Sequence, residues 1–138
     1  ILANTTGNKQ VSMTAQITAD ELHQLQILVR EVLCGSHLTR FVAELVVATH
    51  PENSANDDAT KRFVRYGASA RAGQAILLGA KARALLAGRP AVVQEDIDAC
   101  LLPALKHRVL LGFEADAEQI GVTDLLHEWQ HTAQRLAH

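Results

Sequence analysis

Residues 67–72 read Gly-Ala-Ser-Ala-Arg-Ala and open an alanine-rich stretch that ends at Gly88. Serine is a favoured helix N-cap and glycine a favoured C-terminal stop, so the stretch predicts a helix from Ser69 to about Ala87. Its small and apolar residues are spread around much of the helix circumference. A helix of this kind packs against neighbours on several sides. We therefore expect it to be the central element of a helical fold.

Arg71 lies in the first turn of this predicted helix. The first turn directs unpaired N–H groups and a partial positive charge outward, so an arginine there is poorly placed unless an anion meets it. A phosphate would suit such a site. Two interpretations stay open on the residues alone. Arg71 forms an anion site with the helix start at Ser69 and Ala72, or it pairs with one of the chain's own carboxylates.

Helical periodicity recurs on both sides of the central stretch. Thr18 and Glu21 have the spacing of a capping box and begin a helix that is expected to stop at Gly35. A second helix carries an apolar stripe and ends before Pro51. The apolar positions of the first helix are Leu22, Leu25, Val29 and Val32. Further N-caps are predicted at Ser36, at Asp57 or Asp58, and at Thr123.

A short β-ribbon is the only expected departure from helical structure. Residues 109–113 read Val-Leu-Leu-Gly-Phe and are the best strand candidate, with residues 91–93 as the expected partner. Pro103 should kink or restart the helix that covers residues 94–102. Gly67 should end a short helix in the left-handed conformation. The predicted fold class is therefore all-α, mostly helical, with at most a short two-stranded ribbon.

The composition fits one domain with its own core. At 138 residues, 48% of them hydrophobic, the chain can bury about two thirds of the surface exposed when it is unfolded. A net charge of −2 argues against a non-specific nucleic-acid binder, and no apolar run is long enough to span a membrane. Cys34 and Cys100 lie far apart in helical runs. This usage fits a reducing compartment, so we expect a cytoplasmic protein.

Residues 127–131 match H-E-x-x-H, the motif of many zinc proteases. In that motif two histidines one helical turn apart bind the metal, and the glutamate acts as general base. The sequence therefore offers a zinc-dependent hydrolase, with His127, Glu128 and His131 as its site, as an alternative function.

The surroundings of this motif weaken the zinc interpretation. The last helix is expected to bury Leu125 and Trp129, and at about 100° per residue His127 and His131 then fall near the opposite, solvent-facing side. A catalytic zinc also needs a third protein ligand. The seven residues after His131 contain no carboxylate, and His138 is their only ligand type. We expect adventitious metal binding by His127 and His131 at most, and no built metal site.

The arginine motif has companions along the chain. The segments YGASARA, GAKARAL, VVQEDI and LKHRV cover residues 66–72, 79–85, 92–97 and 105–109. In order and spacing they resemble the C-terminal lid of MoxR-type AAA+ ATPases. The resemblance extends from about residue 5 to residue 115. It implies an AAA+ lid-type helical bundle.

The resemblance also implies a function. In this family the lid follows a nucleotide-binding core, and the arginine that Arg71 matches is sensor two, which reaches the terminal phosphates of ATP. ATP and Mg²⁺ would then be cofactors of the full-length parent. The expected partners are the AAA+ core of the same protein, neighbouring subunits of a ring and von Willebrand A domain proteins. A chaperone-like remodelling role is implied, without nucleic acid as a partner.

The sequence departs from the family pattern at two places. Ala70 stands where proline is usual before the arginine, and Val93-Gln94 stands where Thr-Pro is common. Both changes remove residues that preset a first helical turn, and neither touches phosphate chemistry. The chain also contains no G-x-x-x-x-G-K-[ST] loop, so these residues alone should not hydrolyse ATP. A helical protein-interaction module without a nucleotide role is the remaining alternative.

The chain is expected to be part of a longer protein. It opens with Ile1 instead of methionine, and its first residues read like the last turn of a helix that runs into Thr5 and Gly7. We therefore expect residues 1–17 to be a linker or the end of a preceding element. Residues 18–138 are expected to form the helical lid.

Overall fold

A computed structural model describes residues 14–53 and 58–137 of the chain. In these ranges it contains seven helices and two short strands, which confirms the mostly helical fold class. The elements in chain order are α1 (Ala19–Glu31), α2 (Ser36–Ala48), α3 (Asp58–Phe63), β1 (Val64–Tyr66), α4 (Ala70–Leu86), α5 (Gln94–Leu105), β2 (Leu110–Leu111), α6 (Phe113–Glu118) and α7 (Val122–Ala137). None of these helices is both long and apolar enough to cross a membrane.

The predicted central helix is confirmed as α4. It contacts α1, α2 and α5, and its buried positions are mostly alanine or glycine. Small side chains let the neighbouring helices approach closely, as at Gly73, where an added Cβ would lie 3.5 Å from a methyl group of Val46. The helix ends at Leu86 with Ala87 as its C-cap, and Gly88 follows in the left-handed conformation with φ 69°. The glycine stop is thus also confirmed.

The core lies between the central helix, α2 and α5, and α7 closes it by packing against α2 and α5. The apolar stripe of α2 is buried, as its spacing predicts, and it packs against α7. Trp129 of α7 is almost fully buried and donates its indole N–H to the hydroxyl of Thr60, 2.9 Å away. This bond satisfies a buried donor and links α7 to α3. The buried apolar side chains of α5 in this core are Ile97, Leu101, Ala104 and Leu105.

Helix α1 has its predicted start and an unexpected degree of exposure. The Glu21 N–H donates to the Thr18 hydroxyl at 3.2 Å, and the Thr18 N–H donates to the Glu21 carboxylate at 2.8 Å, so the capping box is confirmed. No residue of α1 is buried. Leu22 and Leu25 remain 49% and 45% exposed, although their spacing marks an apolar stripe. In this stretch only Val32, which follows the helix, reaches the core.

The predicted partner of the strand is wrong. Strand β2 pairs antiparallel with β1, so that Val64 faces Leu111 and Tyr66 faces Leu110, with an irregular register between them. Ala91 instead makes a single parallel bridge to Leu33. The residues of β1 continue a helical pattern in the sequence, and three residues are too few to reveal a period of two.

Several predicted helix ends are also wrong. Ser36 is the first residue of α2 and Gly35 is its N-cap, without a side-chain cap bond. Thr123 lies inside the first turn of α7, where the Gly121 N–H donates to Asp124 instead. Asp58 is the first residue of α3 and so does not precede it as a cap, while a cap at Asp57 stays a prediction, because Asp57 lies outside the described residues. Capping residues occur next to one another in this chain, and spacing alone does not choose between neighbours.

Pro103 does not restart the helix and Gly67 does not have its predicted conformation, while the predicted kink at Pro103 stays a prediction. Helix α5 continues through Pro103 to Leu105, because buried side chains on both sides of the proline, at Leu101 and Leu105, hold the last turn in place. The proline removes one backbone hydrogen bond without ending the helix. Gly67 does not adopt a positive φ. It follows β1, and its role is a close approach described below.

An ion pair between the partly exposed Arg89 and the buried Asp96 fixes the start of α5. The guanidinium of Arg89 donates to both carboxylate oxygens of Asp96 at 2.7 Å, and the Val93 N–H donates to the same carboxylate at 3.1 Å. Val93 is the N-cap of α5 and has no side-chain hydroxyl to accept a hydrogen bond from the first turn. The Asp96 carboxylate is therefore the side-chain group that caps this helix start. The hydrogen bonds from Arg89 hold the pKa of Asp96 below its ordinary value, against the opposing effect of burial.

We expect Asp96→Asn to lower the free energy of unfolding at pH 7 by about 2 kcal/mol, because Arg89 loses its charged acceptor. A lowered native-state pKa gives stability that is complete above the unfolded-state pKa, about 4, and is lost as pH falls through the native-state value. The deficit of the variant should therefore shrink at pH 3. Denaturant unfolding at both pH values measures it, with the exposed Asp98→Asn as control. An equal deficit at both pH values would contradict the ion-pair assignment.

Candidate functional site

Arg71 is the second residue of α4 and its side chain is exposed. Ser69 is the N-cap, with an extended backbone at φ −80° and ψ 170°, so its predicted position is confirmed. Its hydroxyl makes no cap hydrogen bond, which corrects the predicted chemistry of this cap. The first turn closes through the Ala72 N–H, which donates to the Ser69 carbonyl at 2.8 Å. Ala72 itself is buried, so Arg71 projects from a first turn anchored in the core.

The guanidinium of Arg71 has no hydrogen-bond or ion-pair partner within residues 14–53 and 58–137. Two other arginines show the contrast. Arg62 pairs with Glu114 and Glu118, and Arg89 pairs with Asp96. An ion pair between Arg71 and a carboxylate of the chain is therefore not observed in the described part. The geometry leaves the anion-site interpretation of Arg71 open to an external ligand.

An apolar cleft runs beside the start of α4. It lies between α2 and the first two turns of α4 and has a volume of about 530 Å³. Its apolar wall comes mainly from valines of α2, while Ser69, Gln74 and His50 supply polar groups. The cleft therefore combines an apolar surface with donors close to the N-terminus of a 17-residue helix.

The segment before α4 is held by the end of α2. The N–H of the fully buried Ala68 donates to the hydroxyl of Thr49 at 2.8 Å, and its carbonyl oxygen lies 2.9 Å from Nε2 of His50. The Thr49 hydroxyl donates in turn to the Val46 carbonyl at 2.7 Å. Gly67 lies so close to these residues that a Cβ would be 2.7 Å from the ring of His50 and 2.8 Å from the Thr49 carbonyl oxygen.

Sequence reasoning did not identify Thr49 and His50 as part of this site. Thr49 does extend the apolar stripe of α2, since it lies three residues after Val46 and four after Leu45. A threonine at a core position must find a hydrogen-bond partner, which is a signal that the sequence contains. The partner, Ala68, lies 19 residues away and could not be read from spacing.

The H-E-x-x-H residues lie on a different element, α7. His127 and His131 are exposed, as their phase relative to Leu125 and Trp129 predicts. His131 lines a shallow cavity together with His37. Within the described ranges, no three histidine, cysteine, aspartate or glutamate side chains come close enough to hold a metal ion. The zinc-hydrolase interpretation thus gains no support from the geometry.

The comparisons with known proteins identify the class to which this small helical domain belongs. Residues 56–129 match the family model of the AAA lid domain. A chaperone of Mycobacterium tuberculosis, MoxR1, is 29% identical over 104 residues, which is 75% of this chain. A crystal structure from Cytophaga hutchinsonii, described as a "putative ATPase", matches 82% of the chain with a TM-score of 0.77 and 28% identity. The chain belongs to the AAA lid domain family and is a MoxR-like lid.

The matched relatives are much longer than this lid. The chain spans 28% of the length of the mycobacterial chaperone and 34% of the solved chain. Membership of the AAA lid family implies association with an AAA+ core. The proposed division into residues 1–17 and residues 18–138 remains a prediction, since residues 1–13 lie outside the described structure.

We expect Gly67→Ala to destabilise the lid by about 2 kcal/mol, because the new methyl group meets a backbone carbonyl that cannot rotate away. The control is Gly112→Ala, where the nearest heavy atom would lie at an ordinary contact distance of 3.6 Å. Denaturant unfolding of both variants measures the difference. An equal loss in both would show that the packing against Thr49 and His50 is not the cause.

We expect the purified chain to hold no stoichiometric zinc after dialysis against a chelator, because His127 and His131 lack a third ligand in the described structure. Metal analysis by atomic emission measures this content. Stoichiometric zinc that is lost in His131→Ala, but retained in a control variant of the exposed His23, would restore the hydrolase interpretation.

Proposed function

We propose that this chain is the nucleotide-sensing lid of a MoxR-like AAA+ ATPase with a chaperone-like remodelling role, and that Arg71 is its sensor-two arginine. One observation carries the proposal. Arg71 is exposed and unpaired within the described residues, at the N-terminus of the helix that forms the centre of an AAA lid. A buried or paired arginine could not reach a ligand bound to another domain.

The chemistry of Arg71 at the start of α4 suits a nucleoside triphosphate. A guanidinium is planar and permanently charged, and it donates a fork of hydrogen bonds to phosphate oxygens. The partial positive charge at the N-terminus of α4 adds to the attraction. Near a γ-phosphate, such a group stabilises the charge that develops in phosphoryl transfer. Arg71 would thus report whether ATP or ADP occupies the parent protein.

The lid would supply only part of the complete site. The phosphate-binding loop, which this sequence lacks, and the groups that hold Mg²⁺ would come from the AAA+ core. ATP and Mg²⁺ are therefore cofactors of the parent under this proposal. Adjacent subunits of a ring, and client proteins with von Willebrand A domains, follow from the family resemblance. The cytoplasm is the proposed location, because Cys34 and Cys100 are both free thiols.

In the full-length ATPase, we expect Arg71→Ala to slow ATP turnover about tenfold or more, the factor that corresponds to one lost charged contact in the transition state. Arg71→Lys should recover little, since a point charge does not replace the fork. The matched control is Arg65→Ala, another exposed arginine, which stacks on Tyr66. Steady-state turnover and nucleotide affinity are the measurements. Unchanged values of both in Arg71→Ala would refute the sensor role.

A second candidate, an interaction module without a nucleotide role, is favoured by α1. This helix has no buried residue and presents Leu22 and Leu25 partly to solvent. Partly exposed leucines along one helix are typical of a surface that contacts another protein. The two candidates differ in what they require of Arg71. Under the second one, Leu25→Asp weakens association with the partner while Arg71→Ala changes neither turnover nor association.

A further inference from the structure

Ala68 is held at both of its backbone polar groups by two consecutive side chains from the end of α2. Its N–H donates to Thr49, and its carbonyl accepts from His50. We propose that Thr49 and His50 are positioning residues, which set the direction in which α4 presents Arg71. The inference rests on the proposed sensor role of Arg71. It goes further by naming the residues that orient the arginine.

The hydrogen bonds fix the chemistry of both side chains. A carbonyl oxygen only accepts hydrogen bonds, so Nε2 of His50 carries the hydrogen that Ala68 receives. The Thr49 hydroxyl uses its one hydrogen on the Val46 carbonyl and accepts from the Ala68 N–H. Its orientation is therefore determined from both sides. Thr49 and Ala68 are fully buried, so solvent does not compete for these bonds.

Because Ala68 lies close to Arg71 in the chain, the hydrogen bonds to Ala68 affect where the backbone of Arg71 lies. Ala68 lies two residues before the first residue of α4 and three before Arg71. Gly67 leaves no room for a Cβ beside the His50 ring and the backbone carbonyl of Thr49, so the segment packs closely against the end of α2. The Ser69 hydroxyl makes no cap bond that could do this work instead. The direction of the first turn of α4 therefore depends on contacts made by Thr49 and His50.

His50 is itself held from its solvent side. Its Nδ1 lies 3.3 Å from a carboxylate oxygen of Glu52, and its side chain is 37% exposed. The ring thus spans from the exposed Glu52 to the buried Ala68. A substitution at His50 tests the second hydrogen bond to Ala68 and disturbs the core less than one at the fully buried Thr49.

The first experiment compares polar and apolar replacements in the full-length ATPase. Thr49→Val keeps the shape of the side chain and loses the hydroxyl, while Thr49→Ser keeps the hydroxyl. His50→Leu loses the donor, while His50→Gln places an amide N–H near the position of Nε2. We expect Thr49→Val and His50→Leu to lower kcat for ATP about three- to tenfold, and the polar replacements to restore most of it. Thr132→Val, a buried threonine of α7, is the control for the loss of a hydroxyl.

The second experiment separates positioning from general stability. The same variants are made in an Arg71→Ala background, and kcat is measured again. If Thr49 and His50 act through Arg71, their substitution causes less than about a twofold further loss there, because coupled residues are not additive. If the original factor persists in that background, the inference is overturned. Should Thr49→Val fail to fold, His50→Leu at its partly exposed position carries the test.

The two proposals fail in different ways. An Arg71→Ala variant with unchanged turnover and nucleotide affinity refutes the sensor role. A slow Arg71→Ala variant, together with Thr49→Val and His50→Leu variants that turn over normally, refutes only the positioning inference. Thermal unfolding of each variant shows that the proteins compared are folded.

Discussion

Close packing along the small-residue stripe of α4 is the constraint on which this lid depends. Every fourth residue from Ala72 to Ala84 is buried, and only Ile76 among them is large. Neighbouring helices can therefore approach the backbone of α4 closely. This close approach brings many of their atoms into van der Waals contact with α4. The core around Trp129 and the α5 side chains is built on this arrangement, as is the fixed direction of the helix. Larger residues in the stripe would separate α2 and α5 from α4 and move the N-terminus that carries Arg71.

The start of α4 depends on a second set of contacts, which are polar. The serine at the N-cap makes no side-chain bond, and Thr49 and His50 hold the preceding residue instead. Support from another helix differs from a local cap in one respect. A local cap satisfies the ends of its own helix, whereas a contact from α2 fixes α4 relative to the rest of the domain. An exposed arginine gains a defined position only from the second kind of support.

The sequence predicted the features that depend on local pattern. The extent of α4, its central position, the glycine stop at Gly88 and the exposed face of His127 all follow from periodicity and turn chemistry, and the structure has them. The features that were missed join residues distant in the chain. β1 pairs with β2 across more than 40 residues, and Ala68 meets Thr49 across 19. Arg89 and Asp96 are near in sequence, but their pairing depends on how the chain turns between α4 and α5. The absence of a partner for Arg71 among residues 14–53 and 58–137 could not be predicted, because it depends on where each carboxylate lies.

The geometry of the lid limits how a nucleotide signal could leave this domain. Arg71 follows a segment held by buried hydrogen bonds and lies in the first turn of a helix packed into the core, so the backbone that carries the arginine and the packed helices form one unit. Under the proposed function, loss of the γ-phosphate removes an attraction between Arg71 and the core-bound nucleotide. The backbone of this unit cannot absorb that loss by a local shift at Arg71, because the Ala68 hydrogen bonds and the buried face of α4 hold it. The change in contact would therefore appear as a movement of the whole lid relative to the core. The partly exposed leucines of α1, on the same unit, would move with it and transmit the change to whatever they contact.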